Sequence, residues 1–383
     1  MKKRTVISTI VSAVLLITLI LIPTGFEGAL QFRDAVKCRV LVLEADNSRI
    51  IDTGLIRTGQ QVCSVRFLSG RFKGQEGNAW NLLNGSLSQD KLFHPGDKAQ
   101  AVVHWNKNKD NPEIISVNLI DYYRLRGELI LSLAFAMFLI LFAGRTGIRS
   151  VLSFIVTILV LWKILVPLYL KGFNPILTGL VITALLTFII LALIYGFDKR
   201  LLSSFTGAML GIIFASVLSF ICTKAFHIHG AVMAYSESLL YSGFENLNLT
   251  NIFIASVFVG ASGSVMDLSV DITSAVNEVV RNCPDISARN AVKSGLNVAR
   301  AAMGTMTTTL LLAYSGTCIA LLMTFMAQGT PVYNILNNNL VASEIINTVA
   351  GSFGLASTAP FTALVSGIIL TKKSKKAKEF TQS

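Results

Sequence analysis

An α-helical polytopic membrane protein with about eight transmembrane helices and a small extracytoplasmic all-β domain is the fold class this sequence predicts. Three observations predict it. Apolar residues make up 52% of the chain and charged residues only 14%, whereas soluble domains carry about one quarter charged. Mean hydropathy is +0.62, and long uncharged runs alternate with short charge-dense ones. One hydrophilic stretch interrupts them with strand-like alternation instead.

The elements follow in order. Lys2, Lys3 and Arg4 precede an apolar run over 6–22. The run resembles a signal peptide, but it is long and no small-x-small site follows Pro23, so 1–27 reads as an uncleaved anchor. Segment 28–126 holds short alternating patterns such as Cys38-Arg-Val-Leu-Val-Leu43 and Gln61-Val-Cys-Ser-Val-Arg-Phe67, with turn signals at Asp46-Asn47, Gly70, Gly74 and Pro95-Gly96-Asp97. It reads as a small β barrel or sandwich. Cys38 and Cys63 both fall in it, and a single disulfide between them stays open, since spacing does not say whether their Cβ atoms meet. Cys222, Cys283 and Cys318 read as core residues.

Seven further spans occupy 127–371, over 129–143, 151–170, 176–196, 201–222, 251–270, 303–326 and 345–370, and a basic cytoplasmic tail fills 372–383. With the N-terminus inside, Arg145, Arg149, Lys199, Arg200, Arg281, Arg289, Lys293 and the terminal lysines all fall on the cytoplasmic side, and 28–126 falls outside. The same clustering accounts for the net charge of +12, so the partner it implies is the lipid bilayer and not nucleic acid. The semi-polar stretch 225–248 reads as an outer-surface or partly inserted helix. His227 and His229 do not share a helix face, and no zinc-ligand spacing occurs, so no metal and no cofactor are expected.

The strongest functional signal is an acidic stripe. Asp267 and Asp271 end the apolar run over 251–270, and with Ser274 and Glu278 they lie within about 60° of one helical face. An ionised carboxylate costs about 2.5–3.5 kcal/mol at the centre of a membrane helix, so such groups face protein, water or a counter-charge. A continuous helix from Asn251 puts Asp267 roughly 24 Å across a core of about 30 Å. The stripe is then the wall of an inner vestibule, unless Gly260 or Gly263 breaks the helix. A second polar face collects Asn297, Arg300, Gly304, Thr307, Thr308 and Ser315 within about 120°. Arg300 is the expected counter-charge of Asp267, the two lying at the ends of neighbouring helices joined by a cytoplasmic segment over 273–299. The third segment is Gly351-Ser-Phe-Gly-Leu-Ala-Ser-Thr-Ala-Pro360, in which Pro360 disfavours helical geometry at Ala359, as a break or only a kink, with Ser357 and Thr358 as further pathway candidates. Broken helices free backbone groups for ions or substrates; small residues also serve close helix packing.

Gly260-Ala-Ser-Gly-Ser-Val-Met-Asp-Leu-Ser-Val-Asp-Ile-Thr-Ser-Ala275 resembles the most distinctive motif of the YibE/F-like family of bacterial membrane proteins. The likeness continues through 295–315 and 351–364, and the anchor, outer β module and Asp121-Tyr-Tyr-Arg124 fit the same layout. The resemblance implies an architecture and not a reaction. Relative to the family pattern, Ala301 stands where an acidic residue is common, Thr308 where Asn is frequent and Asp271 where a small residue is usual. Either an acidic group has moved between helices, or this chain is the diverged half of a pair whose homologous membrane subunit keeps the usual set.

The expected function is therefore a transporter or permease subunit for an ion or small solute in the bacterial cytoplasmic membrane, with both termini cytoplasmic. The alternative is a non-transporting scaffold or sensor whose β domain binds an envelope partner. An enzyme is not expected, because HExxH, nucleophile-elbow and P-loop patterns are absent and two carboxylates on one helix face do not make an aspartyl dyad.

Overall fold

The computed structural model describes residues 2–26, 35–106 and 113–379, without the side chains of 2–9 and 372–379. It divides into two compact units, 1–24 with 142–383 and 25–141.

After helix α1 (Lys2–Leu21) come six strands, β1 (Val36–Asp46), β2 (Ile50–Asp52), β3 (Arg57–Phe67), β4 (Glu76–Asn84), β5 (Lys98–Trp105) and β6 (Ile114–Tyr122). The strand order is β1-β5-β6-β4-β3-β2, and β1 also pairs with β3, so the sheet closes on itself. All pairings are antiparallel except β4 with β6, which meet in parallel at Trp80 and Asn118. With β2 set aside, the ring is a five-stranded Greek-key barrel of the OB type. Closure removes the exposed edges that a short open sheet would leave.

The alternation in β1 and β3 fills the barrel with Val40, Val42, Val65 and Phe67, and the connection between β4 and β5 adds Phe93; all are essentially buried. One polar network shares this interior. Buried Gln61 donates to the carbonyl of Phe93 at 2.8 Å and accepts from its N–H at 3.1 Å, while Asn81 donates to Gln61 at 3.0 Å and to the carbonyl of Lys91 at 2.6 Å. The Tyr122 hydroxyl reaches the carbonyl of Leu92 at 2.6 Å. Together they pin the long β4–β5 connection, whose backbone would otherwise lie unsatisfied under the barrel.

The Cys38–Cys63 disulfide left open by the sequence does not form; both thiols are free and buried. Register is the reason. Cys63 stands opposite Ala45, roughly 20 Å along β1 from Cys38, far beyond disulfide reach. Burial pushes both thiols up to about 11.

The remaining helices are α2 (Leu125–Ala143), α3 (Arg145–Val160), a π turn over Leu161–Leu165, α4 (Val166–Leu170), α5 (Pro175–Tyr195), α6 (Lys199–Ala225), α7 (Ser236–Tyr241), α8 (Leu249–Asn282), α9 (Ala288–Ser315), α10 (Ile319–Ala327), α11 (Val332–Leu336) and α12 (Asn339–Glu379). Among the described residues, seven helical stretches are long and apolar enough to cross a membrane, and the apolar part of α1, Ile10–Leu21, is a shorter eighth. The fold is that of a polytopic helical membrane protein with a small β domain. Past the end of α6 at Ala225, the stretch read as a surface helix over 225–248 holds only a 3-10 turn and the six residues of α7, with left-handed backbone at His227 and Tyr235. Non-glycine residues enter that region at turns, which is why a long helix does not form there.

Small residues build the centre of the helical unit. α6 presents Ser203, Gly207, Gly211, Ala215, Ser219 and Thr223 at every fourth position, all buried. α12 meets them with Gly354, Thr358, Thr362 and Ser366, also buried. A Cβ on Gly207 would overlap Thr362, one on Gly211 would overlap the Thr358 hydroxyl, and one on Gly354 would meet Ala215. Such backbone-to-backbone approach is what drives association where lipid is as apolar as leucine. Hydroxyls finish the seam. Ser203 and Ser366 share a 2.6 Å hydrogen bond, Thr273 of α8 reaches Ser366 at 3.1 Å, and Ser269 donates to the carbonyl of Ser204 at 2.7 Å.

Candidate functional site

α8 is one unbroken helix of 34 residues, about 51 Å long. Neither Gly260 nor Gly263 breaks it, contrary to the alternative the sequence left open. Its buried face turns to α6, α9 and α12 through Val265, Leu268, Ile272 and Val276. The opposite face carries Ser256, Gly260, Gly263, Asp267, Asp271, Ser274 and Glu278, every one of them exposed. The predicted stripe therefore exists, but on the outside of this chain's helix bundle.

Its depth follows from α5, an apolar helix of 21 residues, which is about one membrane thickness. Tyr195, the last residue of α5, places its hydroxyl 2.8 Å from the Val270 carbonyl and 2.8 Å from the Ser274 hydroxyl. Near the other end, Gly179 lies against Phe258 and Ala255. The two helices run side by side in the same direction. Asp271 and Ser274 are thus level with the end of α5, and Asp267 lies roughly 8 Å within it. Arg200 stacks on the Tyr195 ring at 5.0 Å and pairs with Asp198 at 3.2 Å, so a fixed cation stands at this level.

α9 returns antiparallel to α8. Gly295 packs on Ile272 and Val276, and the Tyr314 hydroxyl lies against Gly260. This register sets Arg300 level with the Asp267–Asp271 turn. The connection expected over 273–299 is mostly helix, with only Cys283–Ser287 between α8 and α9. Asn297, Arg300, Gly304, Thr308 and Ser315 share an exposed face. Thr307 is half-buried beside it, its hydroxyl spent on the carbonyl of Met303 at 2.7 Å. Thr308 likewise bonds back to Gly304 at 3.0 Å.

Two expectations fail here. Among the described residues no ion pair joins Asp267 to Arg300, and neither of these side chains nor that of Asp271 has a hydrogen-bond partner. The two helices bring the charges to one depth but turn them away from their shared contact. α12, moreover, is a continuous helix through Pro360. The missing donor is tolerated in membrane helices, where neighbouring groups re-satisfy the backbone. Pro360 is exposed, Ser357 half-buried and bonded to the Gly354 carbonyl at 2.9 Å, and Thr358 buried against Gly211. Of the three, only Thr358 packs on a neighbouring helix, α6, through Gly211.

Sequence reasoning missed Tyr195, Arg200 and the α6 seam, although the Gly207-xxx-Gly211-xxx-Ala215 spacing was a usable signal. It also missed Lys163, the one charge within the apolar run over 151–170. The π turn points its ammonium at the end of α1, where it donates to the carbonyls of Ile20 at 2.7 Å and Ile22 at 2.9 Å.

The profile of the YibE/F-like proteins matches residues 131–372, which takes in both stripes and the α6–α12 seam. The chain belongs to the YibE/F-like family. No curated protein and no solved structure matches it. The family match leaves out α1 and the barrel of this YibE/F-like protein, so the likeness expected for the N-terminal layout lies beyond it.

Proposed function

We propose that this YibE/F-like protein is a transporter or permease subunit for an ion or small solute, and not an enzyme. The observation that carries the reading is the placement of Asp267 and Asp271. They lie within and at the end of the apolar slab defined by α5, on an exposed face, level with Arg300 and, among the described residues, without an ion pair. Charges kept at such depth mark ion or substrate pathways more often than packing. Two carboxylates would attract a cation from the basic side of the membrane, and Arg300 beside them would set the balance between cation and anion. Lysines and arginines at the α3, α6 and α9 starts support a cytoplasmic location for that side, for both termini and for the vestibule, with the barrel outside.

The test is ion and solute profiling of a deletion strain, followed by uptake of protons, monovalent and divalent cations into proteoliposomes. Wild type restores the profile and Asp267→Asn does not. An unchanged profile in the deletion strain sinks the transport reading.

One observation favours a scaffold or sensor. The barrel carries an open groove of about 290 Å³ between Asp52, Arg57, Asp90 and Lys91, flanked by Leu55 and Leu87 at 80% and 78% exposure. Apolar side chains held that far out beside paired charges suit a peptide or glycan of the envelope. Under this reading deletion alters envelope integrity and leaves solutes unchanged.

A further inference from the structure

The helical unit uses its glycines in two ways. Gly207, Gly211, Gly295, Gly354 and Gly367 each sit where an added Cβ would strike a neighbouring helix of the same chain. Gly263 of α8 and Gly304 of α9, both in the middle of long helices, have no atom within 4 Å of the place a Cβ would take. A mid-helix glycine costs about 1 kcal/mol relative to alanine. Within the chain, close packing repays that cost at the first five positions and at neither of these two.

The same two glycines lie on the faces that carry Asp267, Asp271 and Arg300. These faces hold opposite charges at one depth, and neither charge meets the other inside the chain. The hydrocarbon core offers no counter-charge at the depth of Asp267, and desolvation penalises a group left unpaired. A two-fold axis along the membrane normal preserves depth. It would therefore bring the α8 carboxylates of one copy to the level of Arg300 of the other, twice over.

We propose that the exposed α8–α9 face is the interface with a second copy of this chain. Gly263 and Gly304 admit the partner's helices closely, and Asp271 of each copy pairs with Arg300 of the other. The surface is self-complementary in charge, which selects a second copy over an unrelated subunit. Uncovered charge and uncovered glycine define this interface, whether or not a solute passes between the copies.

The experiment uses two differently tagged full-length chains, co-expressed and captured in lipid nanodiscs. Wild type captures wild type. Asp271→Arg captures itself poorly, as does Arg300→Asp, because each self-pair places like charges together. The mixed pair restores both contacts and is captured at least about tenfold better than either self-pair. A second arm covers the chance that charge reversals misfold. The Cβ of Gly263→Leu or Gly304→Leu meets nothing within 4 Å and both positions lie on an exposed face, so both variants fold as monodisperse protein and lose self-capture. Monomeric wild type, a mixed pair no better than the self-pairs, or leucine variants that still pair would each overturn the proposal. A wild-type chain that captures only a different membrane protein does so too.

Discussion

The hydroxyls of Tyr195 and Ser274 lie 2.8 Å apart and tie the end of α5 to the acidic stripe of α8. This contact, with the 2.8 Å approach of Tyr195 to the Val270 carbonyl, sets the height at which Asp267 and Asp271 stand relative to the apolar slab. Replacing Tyr195 by Phe removes the hydroxyl and leaves the ring under Arg200. A hydrogen bond contributes about 1 kcal/mol net, and the loss stays near that value because Ser274 is exposed and its hydroxyl can turn to water. Tyr195→Phe should lower the thermal unfolding midpoint in detergent and speed hydrogen exchange around Val270–Ser274. An unchanged midpoint would show that the contact does not hold α5 to α8.

Gly211 offers a sharper test of the core. Its missing Cβ is the space the Thr358 hydroxyl occupies, and Gly207 gives the same room to Thr362 one turn away. Overpacking a tight core costs about 1–3 kcal/mol, more where backbone and not a flexible tip must move. Gly211→Val should push α6 from α12 and lose folded protein on size-exclusion chromatography. The fitting control is Val217→Ala on the exposed side of the same helix, which should fold normally.

These residues also show why the sequence was legible in part. Spans are readable because an uncharged run of about 20 residues has few other uses, and the barrel because inward residues of β1 and β3 alternate with outward ones. Helical periodicity likewise placed Asp267, Asp271 and Ser274 on one face, and Asn297, Arg300 and Thr308 on another. Periodicity gives a face but not its neighbour. Nothing in Thr358 says that Gly211 will meet it, so its burial against α6 could not be read from the sequence. For the same reason Arg300 was paired with Asp267, although their two helices turn the charges apart. Pro360 misled through a rule from soluble helices that membrane helices relax.

Lys163 should anchor α1. Its ammonium satisfies two carbonyls, those of Ile20 and Ile22, that the end of a helix leaves without an intrahelical donor. The π turn over Leu161–Leu165 is what swings the side chain to that end. Lys163→Met keeps the length and apolar stem but removes the donors. Faster hydrogen exchange over Thr18–Thr24 and easier proteolysis after α1 are expected, with the α6–α12 core unaffected. Equal protection in the two proteins would mean that the cap contributes nothing measurable.

The barrel carries a pH dependence whose sign can be worked out at Asp121. Partial burial works against ionisation there, but the Tyr122 N–H, Lys91 and Arg124 outweigh it and hold the carboxyl below its usual range. Asp121 lies 3.5 Å from Lys91 and 3.0 Å from Arg124. A carboxylate whose folded-state pKa is depressed adds stability above its unfolded value of about 3.9, and that stability is lost as pH falls through the folded value. The groups are partly exposed, so each pair is worth less than about 1 kcal/mol. Asp121→Asn should therefore unfold the barrel at lower denaturant at neutral pH, read by the fluorescence of Trp80 and Trp105. Below the ordinary carboxylate range the two proteins should converge, because protonated Asp121 and Asn carry the same charge. A gap that persists into acid would show that the two cations do not account for the loss.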